Sequence, residues 1–419
     1  MKSDRSFPSL VEHNEKLSVE TRRSRVIGQG QSGNIVSVSW PDHLVFGEED
    51  GRLATVDALA RRMDRWREEL GAGTLHWREV RTRRDHARYY ASPGNPRTHQ
   101  KRIREINWDD FAVVPRLAHE RGMRAELYVS VLDEGRPLPS RRERERSFHN
   151  AMHGQHVTWQ STFSREHPEY AVVDRAGETR QWGVLCFGYP EVREHFRGRI
   201  QEYLRGYDWD GVFLCLRTQA RPAVFADQFG FNAPVQEAMR ERHGVDILRH
   251  DFDLDAGRAL NGEFFTTFLL ELRADLQPQG VGLSVGVPRG DIIGPPVGNW
   301  PIEWRTWAKE GIIDALVIDQ NSSQCPSMWH QLWPMHRGYG YCQNPLDNLN
   351  LPPLETMLRD DYGPVARRTG IDLAVARQWS SPCDEEESAL RTTPGVTGLA
   401  FSTFRHDNPG AVARGDFRA

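Results

Sequence analysis

Along the chain, short apolar runs alternate with longer stretches whose apolar residues recur at three- and four-residue spacing. These are the periods of buried strands and of amphipathic helices. HLVFGEED (43–50) reads as a first strand and ATVDALARRMDRWREELG (54–71) as the helix after it. TLHWREV (74–80) and AELYVSVLD (125–133) read as strands two and three, separated by the helical WDDFAVVPRLAHERGM (108–123). In that helix Asp109 or Asp110 is a natural cap and Gly122 a natural stop. The helix YPEVREHFRGRIQEYLRGY (189–207) leads into a fourth strand, DGVFLCLR (210–217). Two further helices precede VGLSVGVP (281–288), and EWRTWAKEG leads into DALVIDQ (314–320). LETMLRDDYGPVARRTG leads into DLAVARQW (372–379), and SALRTTPG into VTGLAFSTF (396–404).

Eight strands alternating with helices predict a parallel sheet of the α/β class. The most economical closure of eight such units is a (β/α)8 TIM barrel, with long loops after strands 3, 4 and 6. On this reading residues 1–40 form an N-terminal extension and 41–419 the barrel. An open doubly wound sheet needs a glycine-rich turn after its first strand. GQGQSG (28–33) has neither the spacing nor a preceding strand, and reads as a loop.

Composition narrows the function. Of 419 residues 38% are hydrophobic and 27% charged, as in a globular protein with a large core. Lys+Arg total 54 against Asp+Glu 58, a formal charge of -4. No global field then draws the chain to nucleic acid or to an anionic membrane. No run approaches the roughly 18–20 apolar residues of a spanning helix. Five scattered cysteines without a CxxC pair, and an N-terminus lacking an apolar core, predict a reduced, cytoplasmic protein. There is no P-loop, HExxH or GxSxG motif, so no cofactor is expected. Self-association through the outer helices, common among barrels, stays open.

Barrel enzymes do their chemistry at the carboxyl ends of the strands. That rule selects Asp50, Trp77 with Arg78 and Glu79, Asp133 and Glu134, Arg217, Arg289 and Asp291, Asp319 with Gln320 and Asn321, Arg377 with Trp379, and Arg405 with His406. Carboxylates, arginines and tryptophans together suit a carbohydrate, because indoles stack on sugar faces while polar groups bind hydroxyls. Cleaving a glycosidic bond takes two carboxyl groups. Asp319, ending the apolar ALVID, is the preferred catalytic group, with Glu79 and Asp50 next. Trp77, Arg217, Asp291, Gln320, Asn321, Arg377, Trp379 and His153 are the candidate substrate contacts. For the tryptophans a core role stands at even odds with a platform role, and for Asp319 a structural ion pair is an equal alternative. His149 and His153 share a helical face with His156 nearby, but no third ligand is spaced for a zinc site, and no metal is expected.

The segments EHPEYAVVDRAGE, YPEVREHFRGRIQEYLRGYDWDGVFLCLR and FGFNAPVQEAMRERHGVDI resemble the bacterial barrels described as family 10-like glycosyl hydrolases. The similarity spans roughly residues 40 to 405. It implies a TIM barrel and a carbohydrate substrate. Many such relatives carry an aspartate in strand four in a DG-x-x-x-D arrangement, whereas DGVFLC places Cys215 there. The leading expectation is a glycoside hydrolase acting on an oligo- or polysaccharide. An acidic glycan would suit Arg217, Arg289, Arg377 and Arg405. A catalytically lapsed glycan-binding barrel, favoured by Cys215, is the second expectation. A metal-dependent hydrolase built on His149, His153, His156, Asp319 and His406 is the third.

Overall fold

The computed structural model describes residues 33–38, 53–78, 87–91, 107–135, 137, 157–216, 225, 227–293, 300–318, 352–377 and 384–402. Its centre is a closed barrel of eight parallel strands: β1 (Asn34–Val38), β2 (Ala72–Arg78), β3 (Arg124–Ser130), β4 (Gly211–Cys215), β5 (Gly282–Gly286), β6 (Ala315–Ile318), β7 (Asp372–Ala376) and β8 (Gly398–Ser402). Each pairs with its sequence neighbours, and β8 closes on β1 through Ile35 opposite Ala400 and Ser37 opposite Ser402. The chain is therefore a (β/α)8 barrel.

Seven strands lie where the apolar runs predict them. The first does not: β1 is NIVSV at 34–38, inside the span expected as an extension. The expected strand 43–50 lies outside the described residues, and the barrel begins before residue 41. Gly33 and Gly398 explain the seam. A Cβ on Gly398 would collide with the carbonyl of Gly33, and one on Gly33 with that of Thr397, so the strands approach this closely only without side chains.

Between the strands lie α1 (Val56–Leu70), α2 (Asp110–Glu120), α3 (Pro190–Leu204), α4 (Ala233–His243), α5 (Leu254–Leu276), α6 (Trp304–Lys309), α7 (Gly363–Thr369) and α8 (Asp384–Thr392). Thr55 caps α1 through its side chain, Asp109 caps α2 and Asp253 caps α5. Gly71, Gly244 and Gly370 end α1, α4 and α7 in the left-handed conformation. Two antiparallel ribbons, Ala87–Ala91 with Val157–Ser161 and Ala171–Val173 with Arg180–Leu185, occupy the long connection regions after β2 and β3.

Strand alternation sorts the core into two shells. Val36, Leu75, Trp77, Leu127, Val212, Leu283, Leu316, Leu373 and Leu399 point outward and pack with the helices. Ile35, Tyr128, Phe213, Cys215, Val317, Ala374, Ala376 and Ala400 fill the interior.

That interior also holds charge. His76 of β2 and Glu126 of β3 meet at 3.3 Å, and Ser37 lies 3.3 Å from the other ring nitrogen of His76. Arg124 reaches Glu126 at 3.2 Å and the Ser284 hydroxyl donates to it. His76 stacks on Phe213 with ring centroids 4.0 Å apart. A Cβ at Gly211 would sit 3.1 Å from the Glu126 side chain, so this glycine leaves the carboxylate its room. Burial alone would raise the Glu126 pKa. The His76 imidazole 3.3 Å away and the Arg124 charge overcome it and pull the group down to about 2.

At the amino-terminal end, His119 in the last turn of α2 sits between Asp208, 3.3 Å away, and Asp210, 2.7 Å away. Asp210 also accepts the Ala125 N–H at 2.8 Å and so ties β3 to β4. Burial works against the imidazolium, but the two aspartates outweigh it and raise the His119 pKa from 6.5 to about 9. A group raised on folding stabilises fully below its unfolded pKa and loses that contribution as pH climbs through its folded one. His119→Gln is therefore expected to lower stability by about 1–3 kcal/mol at pH 6. The gap to wild type should shrink between pH 6.5 and 9. Urea midpoints of both proteins across that range are the measurement, and a pH-independent gap would refute the assignment.

Candidate active site

The carboxyl ends of the strands present Arg78 from β2, Tyr128 and Ser130 from β3, Cys215 from β4 and Ala376 from β7 on the inward side. Register places Arg78 opposite Tyr128 and Ser130 opposite Cys215. The Arg78 guanidinium lies 5.6 Å from the Tyr128 ring centroid and 3.3 Å from the Asp133 carboxylate, which follows β3. Tyr128 meets Phe213 edge-on at 5.1 Å. An aromatic column thus fills the barrel, and the Arg78–Asp133 pair caps it at the mouth. Asp133 is buried and Arg78 partly so. Both belong to strand ends two and three, so the strand-end rule reaches them, although neither ranks among the preferred candidates.

Next to Asp133, Glu134 turns the other way. It is fully buried, accepts from Arg199 of α3 at 2.9 Å and lies 3.8 Å from His195, whose ring stacks on Phe163 at 3.9 Å. Its backbone N–H donates to Gly183 and its carbonyl accepts from Ser161. Glu134 is therefore a clamp between α3 and the ribbons, not a group open to a ligand.

The candidates from the sequence divide sharply. Asp319, Glu79, Asp50, Arg217, Gln320, Asn321, Trp379 and His153 lie outside the described residues. Three others are described, and each is engaged structurally. Trp77 points out of the barrel, is 2% exposed, and donates its indole N–H to Asp110 of α2 at 3.0 Å. It is a strand-to-helix contact and no sugar platform, because its position has outward parity. Arg377 is equally buried and spans Glu386 at 2.9 and 2.8 Å, with Glu387 at 3.6 Å. The guanidinium expected to bind substrate instead ties the end of β7 to α8. Asp291 accepts from the Trp304 indole at 2.9 Å and from Arg305 at 3.0 Å, fastening its loop to α6 rather than closing over a ligand.

The Ser37–His76–Glu126 chain has the residue types of a nucleophile relay, but all three are buried inside the packed barrel, where no substrate carbonyl could sit. Among the described residues no group of histidines, cysteines and carboxylates could hold a metal ion. No described helix is long and apolar enough to cross a membrane.

Cys215 is fully buried in the interior cluster at the end of β4. The neighbouring DG pair has a structural reason here: Asp210 holds His119 and Ala125, and Gly211 makes space for Glu126.

No protein-family model and no curated protein sequence matches the chain. Among solved structures it is similar to alpha-L-fucosidase isoenzyme 2 from Paenibacillus thiaminolyticus, at 13% identity and a TM-score of 0.48, over 88% of this chain and 46% of that one. It thus spans under half the length of the fucosidase chain. It is similar to the PgaB (BpsB) glycoside hydrolase domain from Bordetella bronchiseptica, at 14% identity and a TM-score of 0.48, over 92% and 98%. A third is the catalytic domain of beta-amylase from Paenibacillus polymyxa, at 10% identity and a TM-score of 0.46, over 89% and 92%. The architecture itself rests on the chain's own strand pairing, which closes eight parallel strands into a (β/α)8 barrel.

Proposed function

We propose that this barrel is a glycoside hydrolase acting on an oligo- or polysaccharide at the carboxyl ends of its strands. The observation that supports it is the charged mouth: Arg78 and Asp133 meet at 3.3 Å over an aromatic-filled interior, at the end of the barrel where such folds do chemistry. Asp319 remains the preferred catalytic carboxyl. In the sequence it directly follows the apolar strand Ala315–Ile318, whose last three residues are buried. Glu79, for which a salt bridge is the commoner role, is the weaker candidate. Asp133, neutralised by Arg78, is the second carboxylate we assign, in the role the sequence first suggested for Glu79 or Asp50. In this scheme one carboxyl group protonates the departing glycosidic oxygen, while the ionised one attacks the anomeric carbon or activates water. The family 10-like resemblance belongs to this proposal, as does the preference for a substrate carrying acidic groups.

The test is a screen of wild type for release of reducing ends from neutral and acidic oligosaccharides, with binding followed in parallel by calorimetry. Release from at least one class is expected. Binding without release would favour the second reading, a lapsed glycan-binding barrel, for which a buried Cys215 at the end of β4 is the specific observation.

A further inference from the structure

The loop after β5 carries a cation that the rest of the described structure leaves uncompensated. Arg289 follows β5 by three residues, at the carboxyl end of the barrel, and is only 9% exposed. Its Nε and Nη1 have no hydrogen-bond partner, and among the described residues no carboxylate lies within ion-pair distance of it. This is unusual for the molecule. Among the described residues the other arginines buried as deeply, Arg199 and Arg377, each hold a glutamate within 3 Å.

The loop is also rigidly held. Val287 extends the pairing of β5 by donating to the Val317 carbonyl at 2.9 Å. The Gly290 N–H donates to the Tyr362 hydroxyl at 3.0 Å, and that hydroxyl donates back to the Gly290 carbonyl at 3.3 Å. Gly290 has a φ of 98°, which a side-chain-bearing residue would adopt only under strain. Tyr362 stacks on Trp304 at 4.4 Å, and the Trp304 indole holds Asp291. Arg289 is thus flanked on its carboxyl side by a clamped turn and on the other by the barrel.

A guanidinium never loses its charge in a protein, and leaving one buried without an anion is strongly unfavourable. A fold keeps such a group where a ligand supplies the missing charge. We infer that Arg289 is the oxyanion-binding residue of the site, taking the carboxylate or sulfate substituent of an acidic sugar. This inference rests on the glycan reading above and narrows it to acidic glycans. A guanidinium suits such a group because its fork of N–H donors is planar and fixed and loses little freedom on binding.

The experiment is calorimetric titration of wild type, Arg289→Lys and Arg289→Met with galacturonate oligosaccharides, with galactose 6-sulfate, and with neutral galactose oligosaccharides. Melting temperatures are recorded beside it. Wild type is expected to prefer an acidic probe over its neutral counterpart. Arg289→Met should lose about 10²-fold in affinity for that probe, and Arg289→Lys less, because a point charge replaces a fork. The galacturonate and sulfate arms tell which oxyanion is taken. Arg289→Met should melt at or above wild type, since it removes an unpaired buried charge. Equal affinity of wild type and Arg289→Met for the acidic probes would overturn the inference, and so would a lower melting temperature for that variant. Wild type that releases reducing ends only from neutral glycans and binds no acidic probe would also overturn it, while leaving the hydrolase proposal standing. Wild type that hydrolyses nothing, yet binds an acidic probe through Arg289, would uphold the oxyanion site and reject the hydrolase.

Discussion

Asp319→Asn is expected to reduce turnover about 10³-fold on whichever oligosaccharide wild type cleaves, with little change in melting temperature. The amide keeps the size and most of the hydrogen-bonding capacity of the carboxyl group but can neither donate an acidic proton nor carry negative charge. The fold should tolerate the change because β6 is anchored by other residues. Leu316 and Ile318 belong to the outer core, and Val317 to the barrel interior. Glu79→Gln provides the contrast. As the weaker candidate it is expected to lose within about tenfold, the range of a supporting contact rather than a reacting group. Asp133→Asn is expected to cost about as much as Asp319→Asn, because both carboxyl groups are given reacting roles. Steady-state kinetics of the three variants decide the matter. A full loss in Glu79→Gln with normal rates in Asp319→Asn would reverse the assignment.

Glu126→Leu is expected to cost about 3–5 kcal/mol of stability, the largest effect of any single substitution we expect in the barrel interior. The cost comes less from the lost attraction than from what remains. Arg124 and His76 lose the carboxylate between them, and the Ser284 hydroxyl loses its acceptor. Glu126→Gln should cost less, since an amide oxygen still accepts from Arg124 and Ser284. The pH dependence carries an independent signature. A carboxyl group lowered on folding stabilises fully above its unfolded pKa and loses that contribution as pH falls through its folded one. With the group moved from 4.5 to about 2, wild type should lose this stabilisation progressively between those values. Glu126→Gln should lack that part of the acid transition. Urea unfolding at neutral pH, followed by acid titration of wild type and Glu126→Gln, tests both claims. Coincident acid limbs would show that Glu126 does not carry the effect.

The two predictions differ in how far sequence alone supports them. Asp319 is visible as a carboxyl group at the end of an apolar run, and the order of strands and helices tells which end of the strand matters. Periodicity placed seven strands and the barrel that contains them, because barrel strands buried on both faces read as short continuous apolar runs between helical stretches. It missed β1. NIVSV is five residues long, and HLVFGEED nearby has a comparable apolar start. What makes 34–38 the strand is pairing with β2 on one side and, across a glycine-lined seam, with β8 more than 350 positions away.

Which way a side chain points was equally out of reach. Trp77 and Arg377 both sit at strand ends, and their residue types fit a sugar site as well as a core. Parity and a nearby acid decide each: Asp110 takes the Trp77 indole, and Glu386 takes the Arg377 guanidinium. Glu126 and His76 stand fifty residues apart, and nothing in either segment marks them as partners until β2 and β3 align in register. Chain-local properties such as strand and helix period, net charge and the chemistry available at strand ends were therefore set by the amino-acid sequence itself. Pairings of charged groups were decided only by the tertiary structure, because the distance and dielectric that govern an ion pair exist only once the strands have closed.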